Sequence, residues 1–158
     1  MDKAPTTGGG ATGAGLFVSR FVHSLDPKKR LTIPAQWREL IGEPPQIYVI
    51  PGLGRESCLN LYPAREMLPR LERFRNISIT DQKARSAARL LASSSELVSW
   101  DVQGRVRIRD ELLAHARLTD QVLMTTGFDH FELWHPDEYD RWHKDVGNLQ
   151  DALQYLNL

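Results

Sequence analysis

The sequence has a single cysteine, Cys58, so no intrachain disulfide can form, which fits a reducing compartment. It has no surplus charge: 20 basic and 20 acidic side chains give a formal net charge of zero. Nucleic-acid binders often carry a basic excess, so the total argues mildly against one and leaves the decision to how the charge is distributed. No apolar run opens the chain and none is long enough to span a bilayer, so neither a signal peptide nor a membrane span is expected, and the expected location is the cytoplasm. Large apolar residues are almost missing from residues 1–15, which are rich in Gly, Thr and Ala. Such a segment buries too little surface to offset its ordering entropy, so a disordered tail is expected there.

Arrangements that carry chemistry are also missing. Histidines 23, 115, 130, 135 and 143 are scattered, and His135 and His143 are too far apart for the i, i+4 spacing of a helical zinc pair. Cys58 falls on an expected strand with no suitably spaced ligand and reads as a small hydrophobe. Gly52 and Gly54 read as hairpin glycines rather than as a phosphate cradle, and no Gly-x-Ser-x-Gly occurs. The expectation is therefore no enzyme: no catalytic residues, no metal and no cofactor.

What is present is a stretch of mixed signals at Asp26 to Pro34, Asp-Pro-Lys-Lys-Arg-Leu-Thr-Ile-Pro. Asp26-Pro27 marks a turn, because proline pushes the residue before it out of the helical region. Lys28, Lys29 and Arg30 gather three cations at its tip. Leu31-Thr32-Ile33 alternates with the period of a half-buried strand, and Pro34 suits the first position of a helix. The arrangement recurs at Asp101 to Arg109, Asp-Val-Gln-Gly-Arg-Val-Arg-Ile-Arg, with Asp101, Arg105, Val106 and Ile108 answering Asp26, Arg30, Leu31 and Ile33. The match continues downstream. Trp37 and Leu40 answer Leu112 and Leu113 or Ala116, Gln46-Ile-Tyr-Val-Ile answers Gln121-Val-Leu-Met-Thr, and Cys58-Leu-Asn-Leu-Tyr answers His130-Phe-Glu-Leu-Trp. An internal duplication of this kind sets the fold reading.

The paired Asp-x-x-x-Arg turns, the opening Phe17-Val-Ser-Arg-Phe-Val-His-Ser-Leu-Asp and the closing Phe131-Glu-Leu-Trp resemble the MraZ family from roughly Leu16 to Asp145. The resemblance implies a bacterial transcriptional regulator with two tandem SpoVT/AbrB-like modules of swapped-hairpin type. It also implies binding to short direct repeats upstream of the division and cell-wall gene cluster, and assembly into a homo-oligomeric ring. Two departures stand out: Lys29 lies where the family usually has Gly, and Arg109 where it often has Pro. The expected fold is α+β, two AbrB-type β-barrel modules forming a pseudo-dimer with connecting and C-terminal helices. The expected division is a tail at 1–15, a first repeat at 16–62, a helical connector at 63–94, a second repeat at 95–135 and a C-terminal helical segment at 136–158.

In finer detail, strands are expected at Leu16 to Leu25 (Phe17, Phe21 and Leu25 inward), Arg30 to Ile33, Ile47 to Ile50 and Cys58 to Tyr62. A short helix from Pro34 should bury Trp37, Leu40 and Ile41 and end at Gly42. Pro63 should open a helix to about Arg75 with Met67, Leu68, Leu71 and Phe74 on one side. A second should start at a Thr80 cap with Ala84, Ala87, Ala88 and Leu91 on its apolar face. In repeat two, strands are expected near 96–100, to Ile108, at 121–126 and at 130–134, with a helix from about Asp110 to Ala116. A terminal helix from Pro136 should carry Tyr139, Trp142 and Val146 on one face, break at Gly147-Asn148 and continue as a Leu149, Leu153, Leu156 stripe.

The neutral total conceals a basic front and an acidic back. Arg20, Lys28, Lys29, Arg30 and Arg38 face only Asp26 and Glu39, whereas after His135 five carboxylates face Arg141 and Lys144. Arg30 and Arg105 have two readings from the residues alone: a structural ion pair closing each turn with Asp26 or Asp101, or direct contact with DNA. The resemblance implies DNA contact for Arg30, and both hold if the aspartate orients the arginine. A guanidinium can fork onto guanine, while Lys28 and Lys29 suit phosphates. The second turn is poorer in cations. Gly104 makes it flexible, and Arg107 and Arg109 either compensate or are solvated strand residues, so the second copy serves either DNA or assembly. The arginines of the helical connector form a solvated face, or meet the acidic C-terminal segment of a neighbouring subunit. The expected partners are double-stranded DNA and other copies of the chain, with nucleoid association; the alternative is a ring-forming scaffold whose repeats serve assembly only.

Overall fold

A computed structural model describes residues 16–52 and 54–158, so the tail expected at 1–15 lies outside the described residues. Strand β1 (Phe21–Ser24) turns into β2 (Arg30–Thr32) and helix α1 (Ala35–Ile41). Strands β3 (Gln46–Pro51) and β4 (Cys58–Pro63) lead to helices α2 (Ala64–Arg75) and α3 (Gln82–Ser93). The same order then recurs as β5 (Glu96–Ser99), β6 (Arg105–Arg107), α4 (Asp110–His115), β7 (Gln121–Thr126), β8 (Phe131–Trp134), α5 (Pro136–Asp145) and α6 (Leu149–Tyr155). The chain is thus α+β, and the recurrence runs through the helices as well: α2–α3 after β4 is matched by α5–α6 after β8.

Six strands form an antiparallel sheet in the order β1-β7-β8-β4-β3-β5, and β2 and β6 form a separate two-stranded ribbon. The first strand of each copy pairs with the other copy, β1 with β7 and β5 with β3. The registers obey one pseudo-twofold axis. Phe21 opposite Met124 has its image in Glu96 opposite Val49, and Arg30 opposite Arg107 has its image in Arg105 opposite Thr32. At the sheet centre the axis passes through Asn60 opposite Glu132. Because strands are exchanged, the two copies share one core. Leu31, Ile33, Val106 and Ile108 pack with Leu59, Leu61, Phe131 and Leu133, and Trp37 lies 4.8 Å from Phe131 and 5.3 Å from Phe21 between ring centroids.

Local chemistry explains where elements stop. Ser19 has φ +73, so the first strand is laddered only at Phe21–Ser24, with Phe17 held by a separate bridge to Phe128, rather than running unbroken from Leu16. Pro34 is the cap of α1 rather than its first helical residue. Gly42 closes α1 at φ +64, and a side chain there would sit 2.9 Å from the Arg65 guanidinium that binds the carbonyl of Ile41. Asp81, not Thr80, caps α3, its carboxylate accepting from the Ala84 N–H at 3.0 Å. Leu68 is exposed instead of sharing the inward face of α2, where Met67 is buried.

The outer sheet face carries a polar clamp that ties α2 to the β7–β8 turn. His130 stacks on Tyr62 at 4.7 Å, its Nδ1 lies 2.7 Å from Asp129 and its Nε2 lies 2.8 Å from Glu132. Arg70 reaches Asp129 at 2.6 Å and lies over the Tyr62 ring, and the Trp134 indole donates to Glu132. Burial works against a charged His130, but hydrogen bonds to Glu132 and Asp129 outweigh it and raise its pKa above the usual 6.5. A raised folded-state pKa means that this contribution is complete below about pH 6.5 and is lost as pH rises through the folded value. Urea unfolding of the wild-type chain from pH 6 to 9 should therefore show stability falling with pH, and His130→Gln should flatten that slope. An equal slope in the variant would show that another group titrates.

Candidate nucleic-acid interface

The two turns are built alike, atom for atom. In the first, Asp26 Oδ1 accepts the backbone N–H groups of Lys28 at 2.9 Å and Arg30 at 2.8 Å, and Oδ2 accepts Arg30 Nε at 2.6 Å. The main chain closes around it, with Lys29 N–H on the Asp26 carbonyl and Asp26 N–H on that of Arg30. In the second, Asp101 Oδ1 accepts from Gln103 at 2.9 Å and Arg105 at 3.0 Å, and Oδ2 accepts Arg105 Nε at 2.9 Å. Three donors stabilise each carboxylate in its charged form. The backbone N–H of Arg30 leads in holding Asp26 below the usual range, and that of Arg105 does the same for Asp101.

The ion pair of the structural reading is therefore present, but it is made side-on through Nε. Among the described residues, nothing binds the terminal nitrogens of Arg30 or Arg105, so each guanidinium keeps an open end. A two-pronged donor held by its side is the geometry needed to fork onto an acceptor pair.

The ribbon gathers these groups on one face. Leu31 and Val106 are buried, so by strand alternation Arg30, Thr32, Arg105 and Arg107 point outward. Lys28 and Lys29 are exposed at the first turn. Asp110 bridges Lys29 at 3.4 Å and Arg107 at 2.7 Å, and these two, Arg107 foremost, keep its pKa low. Arg107 also donates to the carbonyl of Ile108, so it is the most tethered cation of the face. Arg109 is engaged elsewhere: its guanidinium holds the carbonyls of Ser93 and Ser95 beside the C-terminus of α3.

One cation joins from an unexpected place. Arg38 of α1 donates Nε to the Ile33 carbonyl at 3.1 Å and lays its guanidinium on the second turn. A Cβ on Gly104 would be 2.7 Å from Arg38 Cζ. Gly104 thus meets two demands at once, a left-handed φ of +79 and a close neighbour. Lys29, its counterpart, holds φ +62 with a side chain, because the residue answering Arg38 in copy two is Leu113, which is buried in the core. Repeat matching exposes the Lys29–Gly104 difference but not the arginine that fills the space.

The face therefore carries Lys28, Lys29, Arg30, Arg38, Arg105 and Arg107 against Asp26, Asp101 and Asp110. Elsewhere, Cys58 is fully buried and burial pushes its thiol pKa far up. Among the described residues no group of His, Cys, Asp and Glu is arranged to hold a metal ion, and no helix is long and apolar enough to cross a membrane.

The asymmetry of the turns yields a stability contrast. Gly104→Ala should cost about 1–2 kcal/mol, chiefly left-handed strain, because the Arg38 guanidinium at the end of its flexible side chain can shift aside. Lys29→Gly should change stability by less than about 1 kcal/mol, since relief of strain is offset by a floppier unfolded chain. Denaturant titration of both variants checks this; comparable losses would contradict left-handed strain as the source of the contrast.

Comparison with known proteins adds the family. Residues 91–152 match the MraZ family model, described as "MraZ protein, putative antitoxin-like". The transcriptional regulator MraZ of Thermomicrobium roseum is 34% identical over 124 residues, covering 78% of this chain and 84% of the relative. That of Dictyoglomus thermophilum is 32% identical over 86% of this chain and 90% of its own. That of Finegoldia magna is 26% identical over 90% of this chain and the whole of its own. With more than 30% identity across most of both chains, this protein belongs to the MraZ family.

Proposed function

We propose that this protein is a sequence-specific, DNA-binding regulator of transcription that meets double-stranded DNA with the outward face of the β2–β6 ribbon. The observation that carries the reading is the side-on Asp26–Arg30 pair, which holds an arginine rigid while leaving its end open. Arg30 reads base edges, Lys28 and Lys29 position the phosphates, and Arg105, Arg107 and Arg38 form the second contact. Asp26, Asp101, Gly104 and Pro34 shape the turns. The strand exchange supports reading residues 16–62 and 95–135 as two AbrB-type swapped-hairpin modules joined by helices at 63–94 and followed by helices at 136–158. The name shared by the relatives supports the regulatory role.

The finer reading is a nucleoid-associated repressor of the division and cell-wall gene cluster, its own gene included, acting at short direct repeats as a homo-oligomeric ring. Avidity is the physical argument for the ring. The first turn offers only Lys28, Lys29 and Arg30, so it neutralises few phosphates and a single contact is weak at physiological salt. Repeats about 10 bp apart present the same groove to successive subunits, and linked contacts can gain about 10²–10⁴ in affinity. The exposed leucines of α6 favour a second reading, an assembly scaffold that does not bind DNA.

Two measurements decide between them. Anisotropy titrations on the DNA upstream of the gene should show Arg30→Ala losing about 1–3 kcal/mol and flattening preference at one base position. Lys28→Ala should weaken all sequences alike and lower the salt slope by about one. A wild-type protein that binds scrambled DNA equally well would leave the scaffold reading standing. Separately, phased three-repeat DNA should bind far better than one repeat, and a ~5 bp insertion should remove most of the gain by rotating the second site away. Equal binding to all three DNAs would eliminate avidity through an ordered assembly.

A further inference from the structure

The two ends of the ribbon share a plan but carry different cations. At the first turn Arg30 is joined by Lys28 and Lys29, and Lys29 shares Asp110 with Arg107. At the second turn the positions answering Lys28, Lys29, Arg107 and Asp110 are Gln103, Gly104, Thr32 and Ala35. These supply neither a lysine nor a further carboxylate, and the guanidinium of Arg38 lies where a side chain on Gly104 would be.

Arg38 is held much as Arg30 and Arg105 are. Its Nε donates to the carbonyl of Ile33 at 3.1 Å, and Ile33 is itself fixed to the second turn, its N–H donating to the Gly104 carbonyl at 2.8 Å. A Cβ on Gly104 would be 2.7 Å from Arg38 Cζ and 3.0 Å from Nη2, so the guanidinium plane rests directly on the turn. Among the described residues no acceptor takes the terminal nitrogens of Arg38. It therefore joins Arg30 and Arg105 as a guanidinium fixed through Nε with an open end. One difference matters for electrostatics. Asp26 and Asp101 are anions, whereas the Ile33 carbonyl is neutral, so the anchor of Arg38 leaves its charge uncompensated. The residue answering it in copy two, Leu113, is buried in the core and offers no such group to the first turn.

We infer that Arg38 is a specificity-determining residue that forks onto a base edge beside the second turn, guanine being the base whose acceptor pair fits it. The lysines suited to phosphates are confined to the first turn, and at the second both cations are guanidiniums fixed through Nε. The two ends of the face then read the duplex differently, with Arg30 and Arg38 acting at different base positions of one site. The inference rests on the DNA-binding reading above and gives the second turn a reader of its own.

The test scans single-base substitutions through the upstream DNA by competition titration, with full-length wild type, Arg38→Ala, Arg38→Lys, Gly104→Ala and, as a control, Arg30→Ala. Arg38→Ala should lose about 5–150-fold of preference at one base position, and that position should differ from the one lost in Arg30→Ala. Arg38→Lys should bind scrambled DNA as the wild type does without regaining the preference, because a lysine keeps the charge and lacks the fork. Gly104→Ala, which pushes the guanidinium aside, should weaken preference at the same position as Arg38→Ala and leave that of Arg30 in place. Circular dichroism melts check folding, and Arg38→Lys and Gly104→Ala carry the test should the alanine variant at 38 not fold. Undiminished preference at every position in folded Arg38 variants, or full recovery in Arg38→Lys, overturns the inference; the second result would make Arg38 a phosphate contact. In either case the loss in Arg30→Ala keeps the DNA-binding reading standing. A wild type without base preference overturns both.

Discussion

Each turn depends on one carboxylate that accepts three hydrogen bonds. Asp26 and Asp101 hold two backbone N–H groups and one arginine Nε apiece, which fixes the turn, the first residue of the following strand and the direction of the guanidinium together. An exposed ion pair alone stabilises a protein little. Here the pair is supplemented by main-chain donors that would otherwise be unpaired, so its effect is chiefly one of geometry. That geometry sets where β2 and β6 begin, and hence which residues of the ribbon face the core and which face outward.

The exchange of strands is what turns two weak modules into one body. A unit of about 60–70 residues buries too little surface to be secure alone. With β1 on β7 and β5 on β3, both copies contribute to a single cluster, and Trp37 contacts rings from both. The near-perfect pseudo-symmetry has then been spent unevenly. One turn keeps lysines at its tip, whereas the other has a bare glycine covered by Arg38. One helical pair forms a cleft, and the other ends in an uncovered stripe. Such inequality gives the two copies different surfaces despite their common fold.

Much of this is legible in the residues themselves, because turn chemistry and strand alternation are local. Asp-x-x-x-Arg, the buried Leu31 and Ile33, the Gly42 stop and the Gly147-Asn148 break are all readable within a few positions. Small displacements arise where backbone conformation competes with pattern, as at Ser19, or where two capping residues adjoin, as at Thr80 and Asp81. What stays hidden is contact at a distance. Arg38 on Gly104 and Arg70 on Asp129 join residues from different copies, and His130 reads as one more scattered histidine until the sheet brings Tyr62 beneath it. Leu68 shows the limit of helical spacing: the periodicity allows it inward, yet it is exposed while Met67 beside it is buried.

The central claim is that the aspartate acts through the arginine. A double-mutant cycle on DNA discrimination tests it most directly, using Asp26→Asn, Arg30→Ala and the double variant on phased repeats and on scrambled DNA. Asparagine keeps Oδ1 for the two backbone donors and removes the charge that faces Arg30 Nε. The account predicts that Asp26→Asn reduces discrimination when Arg30 is present and has no further effect once Arg30 is alanine. Equal losses in both backgrounds would contradict it, showing that the aspartate shapes the surface without aiming the arginine.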